Sequence, residues 1–162
     1  MTGVDQRLAP SRVSGLNGLR ANSLSVVVIL LIEFGLGISV NLFAKLPASD
    51  HGKGTIPGFG SAVTGGPVVL TLHALLGTLL LAGGIAALVR AIVVRRPLLW
   101  GLASVALLSI VVAWVSGSRF VGSMDNGASL AMALATAVSV LCYVLILFLV
   151  ETTAETDPGS HA

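Results

Sequence analysis

Five polar side chains in this mostly apolar chain could do chemistry: Glu33, Asn41, His73, Arg119 and Asp125. A charged side chain at the centre of a bilayer costs ~2.5–3.5 kcal/mol on insertion scales, so such residues usually face a helix interface or a cavity. Carboxyl, imidazole, amide and guanidinium groups bind protons or form hydrogen bonds to small ligands. The sequence therefore predicts a ligand-binding or proton-binding site among these residues, with no catalytic residue and no metal ligand.

Glu33 is the candidate that lies deepest in the membrane. Ten residues separate it from the start of its apolar stretch at residue 23, which is ~15 Å along a helix and close to mid-bilayer. In one interpretation the carboxyl responds to protons or cations. In the other it is protonated and forms a hydrogen bond to a neighbouring helix, which stabilises the packing by ~1 kcal/mol. The sequence leaves both interpretations open.

The other four candidates lie towards one end of their apolar stretches. His73 is five residues inside its stretch, or ~7.5 Å, and Asn41 is about one turn from the end of the first stretch. Arg119 and Asp125 bracket a short polar loop, where they could pair with each other. Alternatively, these side chains form a small outward-facing site for a polar ligand or a lipid headgroup.

Haem, metal and hydrolytic chemistry have weak support in the sequence. Haem held by two histidines needs axial ligands on facing helices, but His51 lies in a loop and His161 in a tail, which leaves only His73 in an apolar stretch. Met124 or Met132 could supply a second ligand, although nothing in the sequence pairs either with His73. No nucleophile-elbow motif surrounds a serine. We therefore expect no cofactor, and the sequence favours a protein that is not an enzyme.

The composition indicates a protein whose solvent is lipid. The chain has 162 residues, of which 55% are hydrophobic and 10% charged, and its mean hydropathy is +0.98. A soluble domain carries about 25% charged residues, so this chain has too few to cover a globular surface. The single cysteine excludes disulfide scaffolds and metal–thiolate clusters. A net charge of +2, spread along the chain, does not indicate nucleic acid as a partner.

Four apolar stretches are long enough to cross a bilayer as helices, because ~20 residues span the hydrocarbon core. They are residues 23–44, 68–91, 98–118 and 128–150, joined by an outer loop at 45–67 and by two short turns. The predicted fold class is an all-α membrane protein, an antiparallel bundle of four transmembrane helices. Residues 1–22 and 151–162 have the composition of disordered tails, and the glycine-rich outer loop is predicted to be a mobile or re-entrant connector.

The distribution of Lys and Arg predicts the orientation. Four spans place both termini and the second connection on one face, which carries six Lys and Arg residues against three on the other face. Cytoplasmic loops carry an excess of these residues, so both termini are predicted to be cytoplasmic and the membrane to be a plasma membrane. The six are Arg7, Arg12, Arg20, Arg90, Arg95 and Arg96, and the three are Lys45, Lys53 and Arg119.

Several segments resemble a group of small prokaryotic four-helix membrane proteins that have no established activity. The segments are LIEFGLGISVNLFAKLP, with Glu33, Gly37 and Asn41; LHALLG, with His73 and Gly77; Ser129 and Met132-Ala133; and Cys142-Tyr143. The resemblance covers most of residues 30–145. It implies a four-helix topology and a common site for Glu33, Asn41 and His73, but it implies no particular chemistry.

A looser resemblance connects the segment IEFG with the small multidrug resistance transporters, which have four helices and a membrane glutamate in the first of them. This chain departs from that family in its greater length and its 23-residue first loop. An aromatic substrate cage is also not evident, since Trp114 is the one tryptophan placed inside the membrane. The resemblance implies an oligomeric proton-coupled carrier of small molecules with Glu33 as the coupling residue.

Three functions remain as hypotheses at this point. The first is a non-catalytic integral membrane protein that acts through helix–helix contacts, as an accessory subunit or as a module that binds a small ligand or lipid. The second is the proton-coupled carrier that uses Glu33. The third is a haem-binding protein or another membrane enzyme. The predicted partners are the lipid bilayer and other membrane subunits or further copies of this chain, not nucleic acid.

Overall fold

The computed structural model describes residues 9–43, 55–123 and 126–155. Within these residues the chain is helical apart from short turns, and it forms five helices. They are α1 (Ala9–Phe43), α2 (Thr55–Thr64), α3 (Val68–Val94), α4 (Pro97–Ser123) and α5 (Asn126–Glu155).

Four of these helices are long and apolar enough to cross a membrane. Their apolar parts are Ser14–Phe43, Val68–Val94, Pro97–Val121 and Asn126–Glu151, of 30, 27, 25 and 26 residues. At ~1.5 Å per residue each is longer than the hydrocarbon core is thick. Large apolar side chains on their outer faces, such as Leu31, Leu108 and Phe148, are exposed. The prediction of an all-helical chain with four membrane-length helices is confirmed.

Each long helix packs against two others. α1 contacts α3 and α5, and α4 contacts the same two helices. The larger buried cluster includes Leu30, Leu80 and Ile110, and a smaller one joins Val40, Leu70 and Val121. The space between these two clusters contains the candidate site described below.

The α3–α4 connection is a tight turn. Arg95 has a φ of 58°, in the left-handed region, and its backbone N–H donates a hydrogen bond to the Ile92 carbonyl. A left-handed residue with such a bond commonly ends a helix. Pro97 then begins α4, where its fixed φ and missing N–H suit the first helical turn. The turn holds α3 and α4 side by side.

The N-terminal segment differs from its prediction as a disordered tail, because α1 already begins at Ala9. Leu19 is fully buried, and Leu16 packs against the larger buried cluster. Most helical stability in proteins comes from packing of this kind rather than from the composition of the segment. At the other end of the chain, α5 continues to Glu155, so residues 151–155 of the predicted tail are also helical.

The outer loop, which is predicted to be a mobile or re-entrant connector, has regular structure over part of its length. It contains α2, a helix of 10 residues over Thr55–Thr64, which packs against α3 and α4. Residues 44–54 lie outside the described residues. Contacts with α3 and α4 stabilise a helix in this glycine-rich segment.

Candidate functional site

A cavity of about 140 Å³ lies between the four long helices. Leu30, Leu80 and Ile110 line it on the side of the larger buried cluster, and Leu70 and Val121 line it on the side of the smaller cluster. An engineered protein cavity of ~150 Å³ holds one benzene molecule. This central cavity therefore has room for one small ring compound or for several water molecules.

Glu33 and His73 form the polar wall of the central cavity. The Nδ1 atom of His73, on α3, lies 2.9 Å from the Oε1 atom of Glu33, on α1, and the two side chains are 17% and 11% exposed. The distance is that of an ion pair, but the ring N–H is not aligned on the oxygen, so the contact does not count as a hydrogen bond. With one proton shared between them the pair is electrically neutral, as carboxylate and imidazolium or as carboxylic acid and imidazole.

The second carboxyl oxygen of Glu33 is the most informative atom of the site. Glu33 is 8% exposed as a residue, and its Oε2 atom is buried with no hydrogen-bond partner in the described part of the chain. A buried polar atom that lacks a partner costs about 1–3 kcal/mol. Such exceptions are rare in folded proteins and call for an explanation. Since the Glu33 side chain lines the central cavity, this oxygen is the polar atom of the site that most needs a partner.

Two glycines give the polar pair its room. A Cβ atom at Gly37 of α1 would lie 3.3 Å from the Cε1 atom of His73, and one at Gly77 of α3 would lie 3.1 Å from the Oε1 atom of Glu33. Each helix thus presents bare backbone to the polar side chain of the other. Small residues allow membrane helices to approach closely in this way.

Two aromatic rings form another part of the cavity wall, next to the polar pair. The rings of Phe59, on α2, and Trp114, on α4, have centroids 5.2 Å apart and planes inclined by 43°. The indole N–H of Trp114 donates to the Thr78 hydroxyl oxygen over 3.4 Å, and that hydroxyl donates to the Ala74 carbonyl. Both rings line the cavity. Their tilted arrangement is favourable for aromatic pairs at this distance.

Sequence analysis missed Phe59, because it treated the glycine-rich loop as a connector. The signal that could have found it is the spacing of Phe59 and Val63, four residues apart as on one face of a helix. In the structure both are half-buried. The aromatic neighbour of Trp114 therefore comes from α2, within the predicted connector.

Three of the four hydroxyl groups that line the cavity donate hydrogen bonds to helix carbonyls, and the fourth belongs to Ser129. Ser118 donates to the Trp114 carbonyl, Thr136 to the Met132 carbonyl, and Ser139 of α5 to the Ala106 carbonyl of α4. Serine and threonine in helices commonly form such bonds to the backbone. The pair of Glu33 and His73 is therefore the strongest polar anchor that the cavity offers to a ligand.

The remaining predicted residues lie elsewhere. Asn41 lines the cavity at its outer part and is exposed. Arg119 is exposed on α4 and does not line the cavity. Asp125 lies outside the described residues, so its pairing with Arg119 stays a prediction. The structure thus brings together Glu33, Asn41 and His73 of the five candidates.

The central cavity has no obvious metal or haem chemistry. In the described ranges, no group of three His, Cys, Asp or Glu residues is arranged to hold a metal ion. Met132 does line the same cavity as His73, as a second haem ligand would have to do.

The chain matches no protein family model, no curated protein and no solved structure. The geometry of the central cavity is therefore the basis for assigning a function to this chain.

Proposed function

We propose that this protein binds a small molecule inside the membrane, in an antiparallel bundle formed by its four long helices. The observation that carries the proposal is the buried Oε2 atom of Glu33, which has no partner among the described residues and belongs to a side chain lining a cavity of about 140 Å³. A ligand with a hydrogen-bonding group supplies the missing partner. Its apolar remainder fits the rest of the walls.

The make-up of the walls supports binding rather than catalysis. Small-molecule sites are concave and mostly apolar, and a few placed polar groups orient the ligand. Here the polar groups include a carboxyl and an imidazole, and the hydroxyls of Ser118, Thr136 and Ser139 donate to helix carbonyls. A hydroxyl whose hydrogen is committed to the backbone is poorly placed to act as a nucleophile activated by a base. The site is therefore best suited to holding a molecule unchanged.

Ligand-induced stabilisation tests this function. Toluene, cyclohexanol, benzylammonium and benzoate are added separately to the protein in lipid vesicles, and the thermal unfolding midpoint is measured. A compound that binds only the folded state stabilises it by about 2.7 kcal/mol at a concentration of 100 Kd. We expect at least one compound to raise the midpoint of the wild-type protein.

Ala133→Leu and Ala137→Leu provide the matched comparison. Ala133 lines the central cavity, whereas Ala137 is exposed one turn further along α5. The leucine at position 133 fills the cavity and is expected to abolish the shift, and the leucine at position 137 is expected to preserve it. Equal shifts in the two variants would place binding outside the cavity.

The orientation of the bundle is part of the proposal. The excess of Lys and Arg on one face supports cytoplasmic termini in a plasma membrane, with α2 on the outer side. Reporter fusions after residue 94 are then expected to be cytoplasmic, and fusions near residue 57 external. The reverse pattern would overturn the orientation without affecting the cavity.

A proton-coupled carrier is the second candidate function. The observation that favours it is the contact between Glu33 and His73, which places a second titratable group beside the carboxyl. Two groups that exchange a proton can link its movement to that of a bound molecule. In vesicles subjected to a pH jump, a carrier loses its proton-linked flux in Glu33→Gln, since glutamine cannot release a proton. Indistinguishable fluxes in the two proteins exclude this function.

A further inference from the structure

We propose that the central cavity selects small uncharged ring compounds that carry one hydroxyl group, with phenol as the simplest example. This inference rests on the proposed function and specifies its ligand. Three features of the cavity support it: the charge of the polar pair, the bonding needs of the Glu33 carboxyl, and the volume and aromatic rings of the cavity beside that pair.

The charge of the site favours a neutral ligand. Glu33 and His73 are the titratable residues among the described cavity-lining residues, and a low-dielectric site favours the state in which their charges cancel. A cationic or anionic ligand brings a net charge into a low-dielectric space, which is costly unless the pair changes its own charge. An uncharged ligand leaves the neutral pair as it is.

The carboxyl of Glu33 favours a hydroxyl group in particular. As a carboxylate, its Oε2 atom needs a donor; as a carboxylic acid protonated on that oxygen, it needs an acceptor. The Oε2 atom is covered in this structure, so the carboxyl has to turn about its Cγ–Cδ bond before a ligand reaches it. A hydroxyl both donates and accepts, so it then satisfies the atom in either arrangement of the shared proton. A hydrocarbon satisfies neither arrangement and leaves the buried oxygen without a partner.

The volume and the aromatic wall favour a single ring. A cavity of about 140 Å³ is close to the ~150 Å³ that accommodates benzene. The tilted rings of Phe59 and Trp114 offer faces and edges to an aromatic guest, an arrangement worth more than apolar contact alone. Phenol matches all three features, with its ring beside Trp114 and its hydroxyl at Glu33.

Fluorescence of Trp114 reports on this binding. The chain has two tryptophans, and Trp100 is exposed and does not line the cavity. In the full-length Trp100→Phe protein the emission therefore comes from Trp114 alone. Phenol, toluene and benzylammonium are titrated into vesicles of zwitterionic lipid that contain this protein, and the same protein with Ala133→Leu measures the effect of partitioning into lipid.

We expect phenol to change the Trp114 emission of the Trp100→Phe protein in a saturable way, and this change to be absent when the protein also carries Ala133→Leu. The affinity for phenol is expected to be about tenfold higher than the affinity for toluene. One buried hydrogen bond is worth about this factor. Adding Glu33→Leu should bring phenol down to the affinity of toluene. Should that variant fail to fold, Glu33→Gln serves instead, and a changed ratio of phenol to toluene affinity is the expected result.

The other outcomes separate the two proposals. Equal affinities for phenol and toluene, or tighter binding of benzylammonium, overturn the hydroxyl-ring inference but leave a small-molecule site in place. If each of the three compounds changes the Trp114 emission equally with and without Ala133→Leu, the inference is overturned. The proposed function itself then falls only if cyclohexanol and benzoate also fail to stabilise the wild-type protein.

Discussion

Glu33→Leu is expected to lower the free energy of unfolding by about 1–3 kcal/mol, because it leaves the buried Nδ1 atom of His73 without its neighbour. Glu33→Gln should be much milder, since glutamine keeps the shape and the hydrogen-bonding capacity of a neutral carboxyl. The measurement is thermal unfolding of both variants in lipid vesicles. The order of stability is expected to be wild type, then Gln, then Leu.

Ser25→Leu is the control for the added leucine. Ser25 lies on the exposed side of α1, where its hydroxyl donates to the Ala21 carbonyl of the same helix. Exposed substitutions usually change stability by no more than about 0.5 kcal/mol. If Glu33→Leu lowers the free energy of unfolding no more than Ser25→Leu does, the Glu33 carboxyl does not stabilise His73 on α3.

Gly77→Leu is expected to give the second large effect. A Cβ atom at this position would lie 3.1 Å from the Glu33 Oε1 atom and 3.7 Å from the Trp114 Cδ1 atom, so a leucine has to displace one of them. Overpacking of this kind is expected to lower the free energy of unfolding by about 1–3 kcal/mol. The variant should also lose ligand-induced stabilisation, because the added side chain separates Glu33 from His73 or enters the cavity.

Gly35→Leu is the matched control for the glycine substitution. A Cβ atom at Gly35 meets no atom within 4 Å, and leucine is a better helix former than glycine by up to about 1 kcal/mol. This variant should therefore be as stable as the wild type or slightly more so. Comparable losses at positions 35 and 77 would mean that the cost comes from the backbone and not from the polar pair.

The membrane-length helices could be predicted from the sequence because they depend on local properties. Length and apolar composition determine whether a stretch can span lipid, and no knowledge of its neighbours is needed. The predicted second stretch and α3 both begin at residue 68. The start of α1 at Ala9 and the whole of α2 could not be predicted in this way, because both helices depend on contacts with α3 or with other long helices.

The contact between Glu33 and His73 could be predicted only in part. Counting residues placed Glu33 at ~15 Å and His73 at ~7.5 Å from the ends of their stretches, which suggested two different depths. That arithmetic assumes that all spans end at the same level. In the structure the two side chains meet, and Gly37 and Gly77 leave the space that lets them do so.

We infer that Glu33 and His73 act as one polar unit in the cavity, and a double-mutant cycle measures the coupling between them. The free energies of unfolding in lipid are measured for wild type, Glu33→Leu, His73→Leu and the double variant. Removing one partner of a buried pair strands the other, whereas replacing both with apolar residues is often neutral. We predict that the double variant is destabilised by about 0.5–3 kcal/mol less than the sum of the single variants. Additive losses, within about 0.5 kcal/mol, would contradict the pairing.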